Sequence, residues 1–531
     1  MDPTSPIPPV LPGAPPAPSP SPWQPRQPHR PPRTFFIGRR WFLRALGGIY
    51  LLAFASLLPQ LDGLLGAHGL FPAARQLRLL AIHAGADAML AVPSLLWLRP
   101  DTAFLHTLCV AGLSCSVLLL LGGAPRFSAL ACWLLYLSIA SVGGEFFSYQ
   151  WDGLLLETGL MAVFLAPRGL LPSTPGPPPS SWAFIWIGRL ILAKLLLGSA
   201  LVKLVGGDMA WPGLTALQFH FETQPLPTPL AWYAHQLPEN LLAIATGMLL
   251  GMELLAVLFI LGPKRLPALA AAVLIPWFVL ISLTGNHAFL NVLAIALCLL
   301  LVDDATWQRL RRRRAKADLI PPRFLVAPRW RVLPHGMALA LFSILSILSA
   351  LADWVPAKWL SGPPEALLHG VAPLRSFNSY GMFAHMTRSR REILIEGTLD
   401  GHEWHPYEFR WKPGDIHRGP GFVAPYQPRL DWQLWFAALP GSEPPAWFDT
   451  LLERLLENDP SVLRLLDENP FALWPPKQVR ATLFEYHFTS REERERTGHW
   501  WWRTRVETYA PARKLPADRR TPGLPRGTLR T

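Results

Sequence analysis

The apolar residues of this chain are gathered into blocks of about 20 that recur between residues 40 and 352, with most of the charge left outside them. That distribution decides the fold class, because about 20 apolar residues in a row span the hydrocarbon core of a bilayer as a helix. Half of the 531 residues are hydrophobic and only 16% are charged, proportions that soluble globules rarely show. The blocks predict spans at 41–59, 102–121, 127–143, 152–166, 183–204, 240–262, 266–284, 286–302 and 336–352. The expected fold is therefore a polytopic α-helical membrane protein of about nine transmembrane helices, its bundle occupying 34–352. Residues 77–98 are apolar too, but Arg78, His83, Asp87 and Pro93 interrupt them, so they read as interfacial or re-entrant.

Residues 1–33 are dense in Pro and hold little to bury, the composition of a disordered tail, and 516–531 read as a basic tail. Arg39, Arg40 and Arg44 before the stretch holding Ala53-Phe54-Ala55 resemble a signal peptide. The long leading tail and the continuing hydrophobicity favour an uncleaved anchor instead. With the N-terminus cytoplasmic, nine crossings put Arg126, Arg168, Lys264, Arg265 and the run Arg311 to Arg314 with Lys316 on the same side. Basic residues beside spans favour that side, and Arg75, Arg78 and Arg99 are the exceptions. The outer side then receives 144–151, 205–239 and everything after 353. The net charge of +13 suggests anionic membrane lipids as partners and not nucleic acid, since no aromatic-rich basic platform or helix-turn-helix pattern accompanies it.

Cys109, Cys115, Cys132 and Cys298 all fall in apolar blocks, with no disulfide framework and no CxxC. Residues 353–515 change character, and predict an outer, mostly β domain with a helical insert. Strands are expected at 391–398 and 406–411, the latter with Tyr407, Phe409 and Trp411 on one face, and Asp400-Gly401 turning between them. A second pair is expected at 480–488 and 500–509, joined by the charged stretch 490–497, and 446–467 reads as helical.

Ionisable residues inside spans stand out, because each costs roughly 2.5–3.5 kcal/mol at a helix centre on insertion scales. Lys194 sits mid-span, and Glu253 in the following span or Glu157 in the preceding one could neutralise it. Glu253, at similar depth, is the first pairing to test. Arg189 and Lys203 lie nearer the ends of the same helix, where long stems snorkel. In the outer loop, His220, Glu222, Thr223 and Gln224 form the densest polar cluster, with His235 nearby. His220 and Glu222 could ligate a metal or act as an acid/base pair, yet no HExxH or other ligand spacing supports this and no metal site is assigned. Trp151 and Asp152 open a span, where an interface anchor and a helix cap explain them equally well. GxSxG, P-loop, GxGxxG and EF-hand patterns are missing, and no cofactor is implied.

Four blocks carry a resemblance: FFSYQWDGLLLETG; RLILAKLLLGSALVKLVGGDMAWPGLTALQFHFETQPLPTPLAWYAHQLP; FNSYGMFAHMTRSRREILIEGT; and YEFRWKPGDIHRGPGFVAPYQPRLDWQLWFAAL. With them the chain resembles the lipase maturation factor family over about two thirds of its length. The resemblance highlights Trp151, Asp152 and Glu157; Arg189, Lys194, Lys203, Asp208 and Trp211; and His220, Glu222, Thr223, Gln224 and Pro225. In the outer domain it highlights Asn378, Tyr380, Gly381, Pro413, Gly414, Asp415, Pro425, Tyr426, Arg429, Asp431 and Trp432. It implies a membrane protein, of the endoplasmic reticulum in animals, whose lumenal domain helps secreted homodimeric lipases fold and assemble. It implies no cofactor and no catalytic residue. The Pro-rich tail and short loops depart from the animal members and read as bacterial, which would put the outer domain in the periplasm.

The leading reading is a membrane-anchored maturation factor whose client is a secreted protein, with Trp432, Trp435, Phe436 and Trp500–Trp502 either a client-binding patch or β-core. The alternative is a membrane-embedded enzyme using Lys194, His220 and Glu222 around a pocket at the outer face. A transporter ranks third, since no inverted repeat or paired broken helices are evident.

Overall fold

The computed structural model describes residues 33–167, 169–170, 183–310 and 329–515. The Pro-rich tail as far as residue 32, Arg168, the Arg311 to Lys316 cluster and the basic tail 516–531 lie outside the described residues. A helix stands at each expected span: α1 (Phe36–Leu57), α3 (Thr102–Leu121), α4 (Pro125–Ala140), α5 (Gln150–Leu165), α6 (Ala183–Val205), α9 (Glu239–Leu261), α10 (Leu266–Thr284), α11 (Leu290–Cys298) and α12 (Arg329–Leu351). Among the described residues five helices are long and apolar enough to cross a membrane, or six if the bent pair Leu290–Leu301 and Asp304–Leu310 is one span. The doubtful segment holds α2 (Ala73–Ala84) followed by short turns. Its 12 residues reach only about 18 Å, too little to cross.

Local chemistry sets the helix limits. Asp101 caps α3 by accepting the Phe104 N–H at 2.8 Å, and Gly122, with φ of 86°, ends it in the left-handed region where glycine costs least. Two short helices, α7 (Ala216–Thr223) and α8 (Pro229–His235), fill the loop between α6 and α9. Thr228 caps α8 through the Ala231 N–H.

The two ends of the bundle sort by chemistry. At one end Asp304 accepts the Phe36 and Ile37 N–H groups that open α1, Arg33 lies 3.8 Å from Asp303, and Arg126 donates to the Ala166 carbonyl that closes α5. At the other end the C-terminal region is docked. Ser56 and Gln60 bond Gln427, the Glu145 carbonyl accepts from Gln433, and Asn286 bonds the backbone of Gly421, Val423 and Ala424.

In that region β1 (Arg390–Thr398), β2 (His405–Pro406), β5 (Gln478–Phe488) and β6 (Trp501–Arg513) form an antiparallel sheet in the order β2-β1-β5-β6. The Asp400-Gly401 turn forms as expected. Gly401 has φ of 91°, and Asp400 accepts the His402 and Glu403 N–H groups, which hold its carboxyl at about 2. The expected strand 406–411 breaks: β3 (Glu408–Phe409) leaves β1 to pair with β4 (Leu466–Glu468). Tyr407 still donates to the Ile395 carbonyl, but beyond it the Trp411 and Lys412 N–H groups go to Asp431 instead of to β1. As a result Tyr407 and Phe409 are buried while Trp411 is exposed.

The expected helix 446–467 also divides, into α14 (Ala446–Leu456), a turn at Pro460–Leu463 and β4. Asn458 in the left-handed region and Pro460 interrupt it. The charged stretch becomes α15 (Arg491–Thr497), with a Ser490/Glu493 capping box and Gly498 at its end. Together with α13 (Arg429–Ala437), these helices make the region a mixture of helix and strand rather than mostly β. One continuous apolar core runs from Leu154 in α5 through Leu430 in α13 to Leu451 in α14.

Candidate functional site

The motif residues converge where the C-terminal region meets the bundle. At the centre Arg429, on the first turn of α13, grips Asp152 with both arms, at 2.8 and 2.9 Å. Tyr136 donates to the same carboxylate at 2.5 Å and the Phe146 carbonyl accepts from Arg429. The guanidinium lies 3.7 Å over the Phe147 ring. Both partners are fully buried. Burial works against the charge of Arg429, but Asp152 outweighs it and holds the guanidinium above its ordinary value. Removing one member of such a pair costs about 3–5 kcal/mol, since the other is left buried and unpaired. Beside it Trp432 packs edge-on against Trp151 at 4.8 Å, so Trp432 is buried and unavailable as an exposed client contact. Trp501 is buried as well, Trp435 bonds the Thr223 carbonyl, and only Phe436 and Trp502 remain widely exposed.

Deeper in the bundle, Lys194 lies 2.6 Å from Glu157 and donates to Ser346 on α12. Tyr380 completes the site, its hydroxyl donating to the other Glu157 oxygen at 2.6 Å. This corrects the pairing of Lys194 with Glu253: Glu253 instead takes Lys203 at 2.5 Å, and Lys203 is buried rather than snorkelling. Depth counted from helix ends misleads here because the helices are staggered. Lys203 is two residues from the end of α6 while Glu253 is fourteen into α9, so α9 begins roughly 18 Å beyond the end of α6 at 1.5 Å per residue. Arg189 is also buried, sandwiched by Trp186 and Phe35.

The segment carrying Asn378, Tyr380 and Gly381 lies directly on α5 and α6. Asn378 donates to the Gly153 carbonyl, and Gly381 exchanges two bonds with the Gln150 side chain. A Cβ on Gly198 would collide with the Tyr380 carbonyl, so the close approach requires glycine there. Asp208 accepts the Ala210 and Met386 N–H groups, and Trp211 donates to the Phe383 carbonyl.

The loop cluster is bound by a residue the sequence did not single out. Arg390 on β1, fully buried, donates to the carbonyls of Glu222, Gln224 and Pro225 and to Glu392, and Lys412 closes the group 3.0 Å from Glu392. The signal was opposite charges two apart on one strand face, which a strand reading could have flagged. Glu222 points at β5, accepting the Phe488 N–H at 2.7 Å and His487 at 3.0 Å. Its hydrogen bond holds His487 above the ordinary imidazole value. Thr223 bonds back to Phe219, and Gln224 reaches the Thr284 carbonyl.

The remaining motif residues shape the C-terminal region. The Gly414 carbonyl accepts from Tyr486, the Pro413 carbonyl from Lys412, and Asp415 caps the His417 N–H. Pro425 follows a cis peptide bond, Tyr426 packs on Trp411, and Asp431 is buried.

His220 parts company with Glu222 and Lys194. It lines a cavity of about 420 Å³ between α6, α7, α9 and α10, together with Lys203, Glu253 and His287. Burial, helped by His287 and Lys203, lowers His220 to about 3, so its ring is neutral. The three residues of the enzyme reading therefore do not share one pocket. Among the described residues no three His, Cys, Asp or Glu gather as metal ligands. Asn286, His287, Gln60 and Tyr136, single polar residues without local pattern, also take part.

Two family models match: the lipase maturation factor transmembrane domain over residues 37–309 and the lipase maturation factor C-terminal domain over 376–511. The chain is 34% identical to lipase maturation factor 1 of Bos taurus, across 90% of this chain and 89% of that one. It is 33% identical to lipase maturation factor 2 of Gallus gallus, across 89% and 81%, and 32% identical to that of Homo sapiens, across 90% and 82%. No solved structure matches it. With both family models and relatives of this similarity over nine-tenths of its length, the chain belongs to the lipase maturation factor family.

Proposed function

We propose that the protein is a membrane-anchored maturation factor that holds its C-terminal region on the outer face of the membrane, where it assists the folding or assembly of a secreted client, a lipase or related hydrolase. The observation that carries this reading is the family relationship across both parts of the chain. The geometry supports it: Asp152 and Arg429 form a buried ion pair between the bundle and the C-terminal region, and Tyr380 bonds Glu157 across the same boundary, which makes a rigid platform on the membrane. Lys194, His220 and Glu222 face different partners, which weakens the enzyme reading.

The same reading has nine crossings, with the N-terminus cytoplasmic. Four contacts with the C-terminal region support that count: the end of α1, residues 144–149, the α7–α8 loop and residues 285–289. These points alternate along the chain as crossings in pairs require. Arg33, Arg126 and Lys264 lie at the opposite end, as the bias of basic residues towards the cytoplasm requires. In a bacterial host the outer face is the periplasm.

The test is genetic and biochemical together. Loss of the gene should lower the specific activity of a secreted hydrolase without lowering its transcript, and the tagged protein should recover that hydrolase from solubilised membranes. Unchanged specific activity across the secreted hydrolases would overturn the client role. Protease that cuts 365–515 only after spheroplasts are lysed, and not from outside, would overturn the sidedness.

A further inference from the structure

The cavity that His220 lines has apolar walls, with Leu195, Leu217, Leu249 and Phe278 among them. Its volume of about 420 Å³ falls in the range of small-molecule sites, roughly 300–1,000 Å³. Two of its lining side chains mark where it opens. Met248 on α9 and Leu280 on α10 are 59% and 52% exposed, and the outward faces of these helices continue apolar with Leu241, Ile244 and Leu283. A mouth between two such faces admits ligand from the hydrocarbon of the bilayer rather than from water.

The polar groups at the inner wall are incompletely used. Glu253, 7% exposed, gives one carboxylate oxygen to Lys203 and Ser199, while its Oε2 has no hydrogen-bond partner. His287, 3% exposed, has an unpartnered Nε2. Each unsatisfied buried polar group costs about 1–3 kcal/mol, and native structures leave few of them without a reason. Both belong to one cavity. The carboxylate oxygen requires a donor, and an imidazole nitrogen takes either a donor or an acceptor according to its tautomer. A hydroxyl supplies both. An anionic head group would meet the Glu253 carboxylate, and a cationic one would lie beside Lys203.

We propose that this cavity binds a neutral membrane lipid, its hydroxyl head group hydrogen-bonded to Glu253 and His287 and its chain leaving between α9 and α10. Monoacylglycerols, diacylglycerols and long-chain alcohols share that chemistry. The site is independent of the client role, and its test reads binding alone.

The whole protein, purified in lipid nanodiscs, would be labelled with a photoreactive, alkyne-tagged 1-monoacylglycerol and the labelled peptides mapped by mass spectrometry. Labelling is expected within 239–284, competed by 1-monoolein and oleyl alcohol, about tenfold less by methyl oleate, the loss that removing one hydrogen bond of about 1.4 kcal/mol produces. Weaker competition by oleyl alcohol than by 1-monoolein would identify a glycerolipid as the source, and equal competition a site that reads a single hydroxyl. Met248→Trp, at an exposed position, should block the mouth without disturbing the fold. His287→Phe should weaken monoacylglycerol binding about tenfold, the loss of one hydrogen bond. Labelling that methyl oleate competes equally well and that Met248→Trp leaves unchanged would mean only annular lipid and would overturn the proposal. Stronger competition by oleate than by oleyl alcohol would overturn the neutral head group, and no labelling in 239–284 would overturn the site.

Discussion

Two buried ion pairs in this molecule look alike by charge and burial and differ in how completely they are satisfied. Arg429 and Asp152 use both guanidinium arms and both carboxylate oxygens, with Tyr136 and a backbone carbonyl taking what remains. Lys203 and Glu253 leave Oε2 without a partner at the wall of a cavity. A fully satisfied buried pair fixes geometry, because each donor and acceptor has one place to be. A partly satisfied one on a cavity wall leaves an atom for a ligand to satisfy, and it is there that the proposed lipid head group is placed. Burial alone does not separate the two pairs; an unpartnered oxygen on a residue that lines a cavity is what sets Glu253 apart.

The largest effect should come from breaking the satisfied pair. Arg429→Ala leaves Asp152 buried without its cation, and the cost of about 3–5 kcal/mol should appear as a large drop in Tm in detergent, followed by tryptophan fluorescence. The double variant Asp152→Leu/Arg429→Met should recover much of it, because a well-packed apolar pair replaces a buried ion pair at little cost. If Arg429→Ala melts with the wild type, the pair does not hold the two regions together.

Next in size is Gly198→Val, which presses on the Tyr380 carbonyl and should cost about 1–3 kcal/mol by overpacking. Limited proteolysis should then cut near 376–388, while the same segment in the wild type is expected to resist. A resistant Gly198→Val protein would show that the segment can move aside freely.

A double-mutant cycle sharpens the comparison further. Lys194 with Glu157, and Lys203 with Glu253, should each show coupling of about 0.5–3 kcal/mol, and Lys194 with Glu253 none beyond error. Coupling between Lys194 and Glu253 would overturn the stagger of α6 and α9.

The smallest effect concerns His487. Its hydrogen bond to Glu222 raises its folded pKa above the unfolded value, so its contribution is fully present below about pH 6.5. That contribution fades as pH rises through the folded value. The Tm difference between wild type and His487→Gln should therefore be greater at pH 6 than at pH 9, and a difference independent of pH would show that the ring acts by packing alone.

Much of the fold was legible residue by residue. The apolar blocks located 102–121 and 266–284 to the residue, and the Asp400-Gly401 turn and the strand pair around 490–497 followed from local pattern. Pairings were not legible, for a physical reason that Lys194 illustrates. Hydrophobic periodicity reports the environment of each helix separately and carries no record of how one helix slides along another. Arg390 was missed likewise, since its partners are backbone carbonyls some 165 residues away, and a carbonyl has no residue identity to read.

The sequence by itself determined which segments are apolar enough for a membrane, where helices start and stop, and which uncommon polar residues sit among them. Those properties depend on a residue and its near neighbours. The tertiary structure alone decided which charge meets which, that the motif residues weld the bundle to the C-terminal region, and that two polar groups are left facing a cavity. Those outcomes depend on the stagger and closeness of distant segments, which the packing of the whole core settles.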